Sequence, residues 1–136
     1  MSERPAELTL YDAMGGHDFF SRLVHRFYQG VAEDPLLRSL YPEEDLSGAE
    51  RRLLMFLEQY WGGPKTYQQE RGHPRLRMRH APFAVSPKAR DRWLAHMRVA
   101  VDEAVEADRL TPELEQQLWA YFEHAANFMV NTFDEG

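Results

Sequence analysis

Helical periodicity runs through this chain and leaves little room for anything else. In GGHDFFSRLVHRFYQGVAED, the residues Phe19, Phe20, Leu23, Val24, Phe27, Tyr28 and Val31 fall on one broad face, because positions three and four apart share a side of an α-helix. Leu53, Leu54, Phe56, Leu57, Tyr60 and Trp61 repeat the pattern in SGAERRLLMFLEQYW. Trp93, Met97, Ala100, Val101 and Ala104 form a third stripe, and Leu114, Leu118, Tyr121, Phe122, Ala125 and Met129 a fourth. No alternation of apolar and polar residues is long enough for a strand. The expected fold class is all-α.

Local signals bound these stretches. Ser47 with Glu50 three residues later reads as a capping box. Ser86–Pro87 and Thr111–Pro112 read as N-caps followed by proline at the first helical position. Gly15–Gly16 and Gly62–Gly63 read as turns, and a short helical turn around Pro35 to Leu40 stops at Pro42. A loop, GGPKTYQQERGHP, then leads to a segment that Pro74 opens and Pro82 closes. With 136 residues the natural count is one domain. The chain has no cysteine, which removes disulfides, cysteine zinc sites, iron–sulfur clusters and thiolate haem ligation. Its N-terminus lacks a signal-peptide pattern, and no run reaches about 18 apolar residues, so a cytoplasmic protein with no membrane insertion is expected.

A net charge of −6 argues against a general nucleic-acid binder, because phosphate contacts need a broad basic face. Against that background, RGHPRLRMRHAP concentrates four arginines and two histidines in residues 71–82. His80 is either a neutral nitrogen ligand for a metal or a surface histidine in a basic turn. If Pro74 to Ala81 is helical, the Leu76 carbonyl lies one turn before His80 and can accept its other ring N–H. Arg75, Arg77 and Arg79 alternate, so they cannot share one helix face. One or two can meet a carboxylate or phosphate while the rest are solvated. Tyr28, Tyr41, Tyr60, Trp61, Tyr67 and Trp93 are either plain core or the walls of a polar pocket, since each buried O–H or N–H needs a partner.

These residues resemble, together, a truncated haemoglobin of the second group, the O type. The resemblance rests on FYQGVAEDPLLRSLYPEEDLSGAERRLLMFLEQYWGGPKTYQQERGHPRLRMRHAPF followed by RDRWLAHM, and it runs from about Leu10 to Phe133. It divides the chain into a leader (1–9), a globin domain (10–133) and a tail (134–136). It implies a shortened globin fold, two helix pairs stacked two-over-two around haem b. By resemblance His80 is the proximal iron ligand. Tyr28 and Tyr41 line the distal side, Trp93 projects over the bound ligand, and Ala49 stands where many globins carry a distal histidine or glutamine. Leu53, Phe56 and Leu57 form the distal wall, with Tyr67, Leu76, Phe83 and Met97 as further haem contacts. Arg79, then Arg77 and Lys65, are the expected partners of the haem propionates, which accounts for the basic stretch.

The resemblance implies reversible binding of O2, CO and NO at a five-coordinate iron, with slow O2 release because Tyr and Trp donors surround the ligand. The alternative on the same haem is an enzyme for NO dioxygenation or peroxidase-type chemistry. It would need a separate reductase, as no flavin or nicotinamide domain is fused. Homodimerisation is compatible with the family's habit. A helical interaction module without cofactor is the third reading, which the lack of a Soret band in haem-replete protein would favour.

Overall fold

The computed structural model describes residues 9–41, 45–65, 67, 69 and 85–130. Six helices lie among them: α1 (Leu10–Met14), α2 (Gly16–Ala32), α3 (Pro35–Arg38), α4 (Ser47–Tyr60), α5 (Pro87–Glu106) and α6 (Pro112–Met129). No strand occurs among the described residues. The helix α2 is central, because its entire expected face is buried, Phe19 through Val31. It packs against both α4 and α5, and α5 packs in turn against α6. Two pairs, α2–α4 and α5–α6, are thus stacked through α2 and α5. This is the two-over-two helical sandwich.

The starts of α5 and α6 follow their sequence signals. Ser86 Oγ accepts from the Ala89 N–H and Thr111 Oγ1 from the Leu114 N–H, with Pro87 and Pro112 at the first helical positions. The capping box at Ser47 does not form. Asp45 Oδ1 takes both the Ser47 N–H at 2.9 Å and its hydroxyl at 2.6 Å, so α4 begins at Ser47 without a side-chain cap. Glu50 instead meets His25 Nδ1 at 3.0 Å. Tyr60, assigned to the apolar stripe of α4, lies 53% exposed with its ring tilted against Tyr121 at 4.3 Å.

The short α1 is held by tertiary contacts rather than by propensity, as five residues are too few for a stable helix on their own. The Tyr11 N–H donates to the Trp61 carbonyl at 2.9 Å, and the Tyr11 ring stacks on Phe20 at 5.7 Å. Gly63 permits this approach: a Cβ there would stand 2.7 Å from the Tyr11 ring.

Candidate functional site

Tyr28 lies on the buried face of α2, and Tyr41 follows α3. Their rings meet edge to face at 5.8 Å, and their hydroxyls are 3.5 Å apart, at the outer limit of a hydrogen bond. Burial, and then the neighbouring Tyr41 hydroxyl, push the Tyr28 phenol well above its ordinary pKa, so it stays a neutral O–H. Trp93 sits half-buried in the second turn of α5. Its ring tilts against Phe27 at 4.9 Å and meets Phe122 at 5.8 Å. Phe27 also contacts Tyr28 at 4.9 Å, so it spaces the indole from the phenol pair.

Ala49 is buried in the first turn of α4, and Leu57 is buried two turns on. Leu53 and Phe56 are only partly covered. Phe56 meets the buried ring of Tyr67 edge to face at 5.6 Å. Met97 is fully buried one turn after Trp93, and Lys65 is exposed beyond the end of α4. His80, Arg79, Arg77, Leu76 and Phe83 lie outside the described residues.

Both α4 and α5 pack on α2, and they are not a closely packed pair themselves. Leu53 and Phe56 on α4, Tyr41 after α3 and Trp93 on α5 remain partly uncovered. Two phenolic O–H groups and one indole N–H belong to the same set of residues. This donor set and these apolar walls suit a flat apolar group that carries a small polar ligand. The residues present therefore fit a haem, with Leu53, Phe56, Leu57, Tyr67 and Met97 as candidates for its walls.

Sequence reasoning missed one cluster beside this region. Asp34, only 3% exposed at the α2–α3 corner, accepts from Arg92 Nε at 2.9 Å and Nη2 at 3.0 Å. It also meets His96 Nε2 at 2.8 Å and caps α3 through the Leu36 N–H at 3.1 Å. The Arg92 guanidinium holds the Asp34 carboxyl well below the usual carboxylate range, against the opposing effect of burial and with help from His96. An ionised carboxylate only accepts, so His96 Nε2 carries a hydrogen. Glu58 is the other buried charged side chain among the described residues, met by His17 Nδ1 at 2.7 Å. Asp before Pro was a readable N-cap signal for Asp34; its partners 58 and 62 positions away were not.

An all-helical two-over-two sandwich is the architecture of a shortened globin. Residues 9–128 match the bacterial-like globin family. A group 2 truncated haemoglobin of Bacillus subtilis is 40% identical over 121 residues, covering 89% of this chain and 87% of that protein. A thermostable haemoglobin from the actinobacterium Thermobifida fusca is 57% identical, covers 93% of this chain and 100% of its own, and superposes with a TM-score of 0.88. A truncated oxygen-avid haemoglobin from Bacillus subtilis covers 91% of this chain and 100% of its own at 40% identity, with a TM-score of 0.83. The chain belongs to the bacterial-like globins and, within them, to the group II truncated haemoglobins. Globin-type binding of a small ligand at haem follows from that membership.

Proposed function

We propose that this globin binds haem b through His80 and retains O2, with CO and NO as competing ligands, by hydrogen bonds from Tyr28, Tyr41 and Trp93. The observation that carries the reading is the pairing of the Tyr28 and Tyr41 hydroxyls, with Phe27 in ring contact with both Tyr28 and Trp93 and the small Ala49 buried in the same core. When bound, haem supplies an iron with one position open to a diatomic gas. Every other task falls to the chain. Leu53, Phe56 and Leu57 keep water from the ligand. Ala49 offers no polar atom, so donors must come from the phenols and the indole. The phenol pair is long enough for either hydroxyl to turn toward a third acceptor. Arg79, with Arg77 and Lys65 behind it, pairs with the propionates. The oxygen-avid Bacillus relative supports slow release as the consequence of such a pocket.

Replacing Trp93 with Phe keeps a ring and removes the donor. Loss of a bond of about 1.4 kcal/mol raises the O2 dissociation rate roughly tenfold. CO is a weaker acceptor, so its release changes less. Stopped-flow displacement measures both rates. O2 release within about twofold of the parent, alongside a lower melting temperature, would reduce Trp93 to ordinary core.

A further inference from the structure

We propose that Asp34, Arg92 and His96 are positioning residues that seat Trp93 on Phe27, and so fix its placement relative to the Tyr28–Tyr41 pair and set how long O2 is retained; this rests on the reading of Trp93 as a donor to the ligand. Arg92 and His96 stand one turn apart on α5 and bracket Trp93 in the sequence. Both end on the same buried carboxylate, which belongs to the corner between α2 and α3. The Arg92 fork bonds both Asp34 oxygens, which fixes direction as well as distance. The second attachment at His96 stops α5 from pivoting about the first. A third constraint comes from α2 itself. A Cβ on Gly30 would lie 2.4 Å from His96 Nδ1, so the imidazole rests directly on the backbone of that helix.

Axial position, rotation and separation of α5 over α2 are therefore all set at the turn that carries Trp93. Tyr28 lies four residues before the end of α2 at Ala32, roughly 6 Å along the helix, and Asp34 follows two residues beyond that end. Tyr41 follows α3, which packs on both α2 and α5. The clamp thus ties the indole to both phenols. Stability alone is a poor account of it, because a buried ion pair is often replaceable by apolar residues at no loss. What a charged, bidentate, three-membered contact adds is a defined geometry.

The test uses the haem-loaded protein and the variants Arg92→Gln and Asp34→Asn, alone and with Trp93→Phe. Arg92 is half-exposed and Asn retains an N-cap, so both variants keep a route to folding. Three quantities are read: O2 release, CO release, and the indole N–H resonance of Trp93 in the CO-saturated ferrous protein. Arg92→Gln is expected to speed O2 release about fivefold, with little change for CO. The Trp93 indole resonance is expected to shift. In the Trp93→Phe background the same substitution should leave O2 release unaltered. A lower melting temperature with unchanged O2 release and indole resonance would overturn the proposal. So would a faster release that persists without the Trp93 indole. If Trp93→Phe alone leaves O2 release unchanged, the donor reading itself is lost, and the clamp falls with it for that separate reason.

Discussion

Gly30 is the most exposing place to probe the His96 contact, because two effects of opposite sign meet there. Alanine in a helix interior is better than glycine by about 1 kcal/mol. Set against this, the new Cβ would stand 2.4 Å from His96 Nδ1, 3.0 Å from Cγ and 3.1 Å from Cε1. The ring cannot retreat without loosening its 2.8 Å contact with Asp34. Overpacking costs about 1–3 kcal/mol, and loss of one hydrogen bond to the Asp34 carboxylate, which Arg92 still holds, about 1.5–3 kcal/mol more. His96 is one-quarter exposed, so water relieves part of the second cost. The net for Gly30→Ala is a destabilisation of roughly 1–2 kcal/mol, or a melting temperature lower by about 4–8 °C. Thermal unfolding of the haem-loaded protein, followed by far-ultraviolet circular dichroism at fixed haem concentration, measures it. The sign should reverse in a His96→Ala background, where the helix preference for alanine acts unopposed. A Gly30→Ala variant that melts above the parent, or that loses as much with the imidazole removed, would refute the seating of His96 on α2.

Acid should weaken the Asp34 clamp. Its carboxyl is held low mainly by Arg92, so the unfolded chain takes up the proton first and the contribution is present above pH ~4 and lost as pH falls further. The stability gap between the parent and Asp34→Asn should be constant near neutrality and narrow below that point in acid unfolding curves; a constant gap would count against it. At the alkaline end, burial raises the Tyr28 and Tyr121 phenols, helped by Tyr41 and Tyr60 in turn. The unfolded chain then loses its phenolic protons first, stability falls as pH rises past ~10, and these two tyrosines should ionise only together with unfolding in a phenolate absorbance titration. His80→Ala should abolish stable haem binding unless imidazole is added, and unchanged haem content with an unchanged ferrous spectrum would exclude His80 as the ligand.

The helices, and the inner faces of α2 and most of α5, were legible because both are local, whereas on α4 Met55 and Glu58 are buried and Leu53, Leu54 and Phe56 only partly covered. Seven of seven expected residues on α2 are buried, since a period of 3.6 needs only the adjacent turns to declare itself. Proline at the second position of Ser-Pro and Thr-Pro fixed two helix starts for the same reason. Where the reading failed, a neighbour outside the pattern intervened. Ser47 and Glu50 match a capping box, and Asp45 and His25 claim them instead. Tyr60 sits at a core position of α4 by count, and at the helix end it is exposed, its ring tilted against Tyr121. The helix α1 has too few residues for any period and exists through Trp61 and Phe20.

The site divides along the same line. Tyr28 and Trp93 could each be placed on an inner face from their own helix alone, and the structure does put each there. Their mutual placement depends on how α5 lies over α2, and no repeat in the sequence encodes that crossing. It is set by Asp34, a residue whose sequence signature is only that of a cap before Pro35, reaching across to Arg92 and His96. A charge in that position reads as solvated until its partners are known, because lone acids at helix starts usually are. The contact that fixes the geometry is therefore the one that local sequence rules assign to the surface. In a small helical globin with apolar, interchangeable helix faces, crossings held by dispersion alone would tolerate sliding by fractions of a turn. One buried carboxylate with two partners a turn apart removes that freedom at the point where the indole is carried.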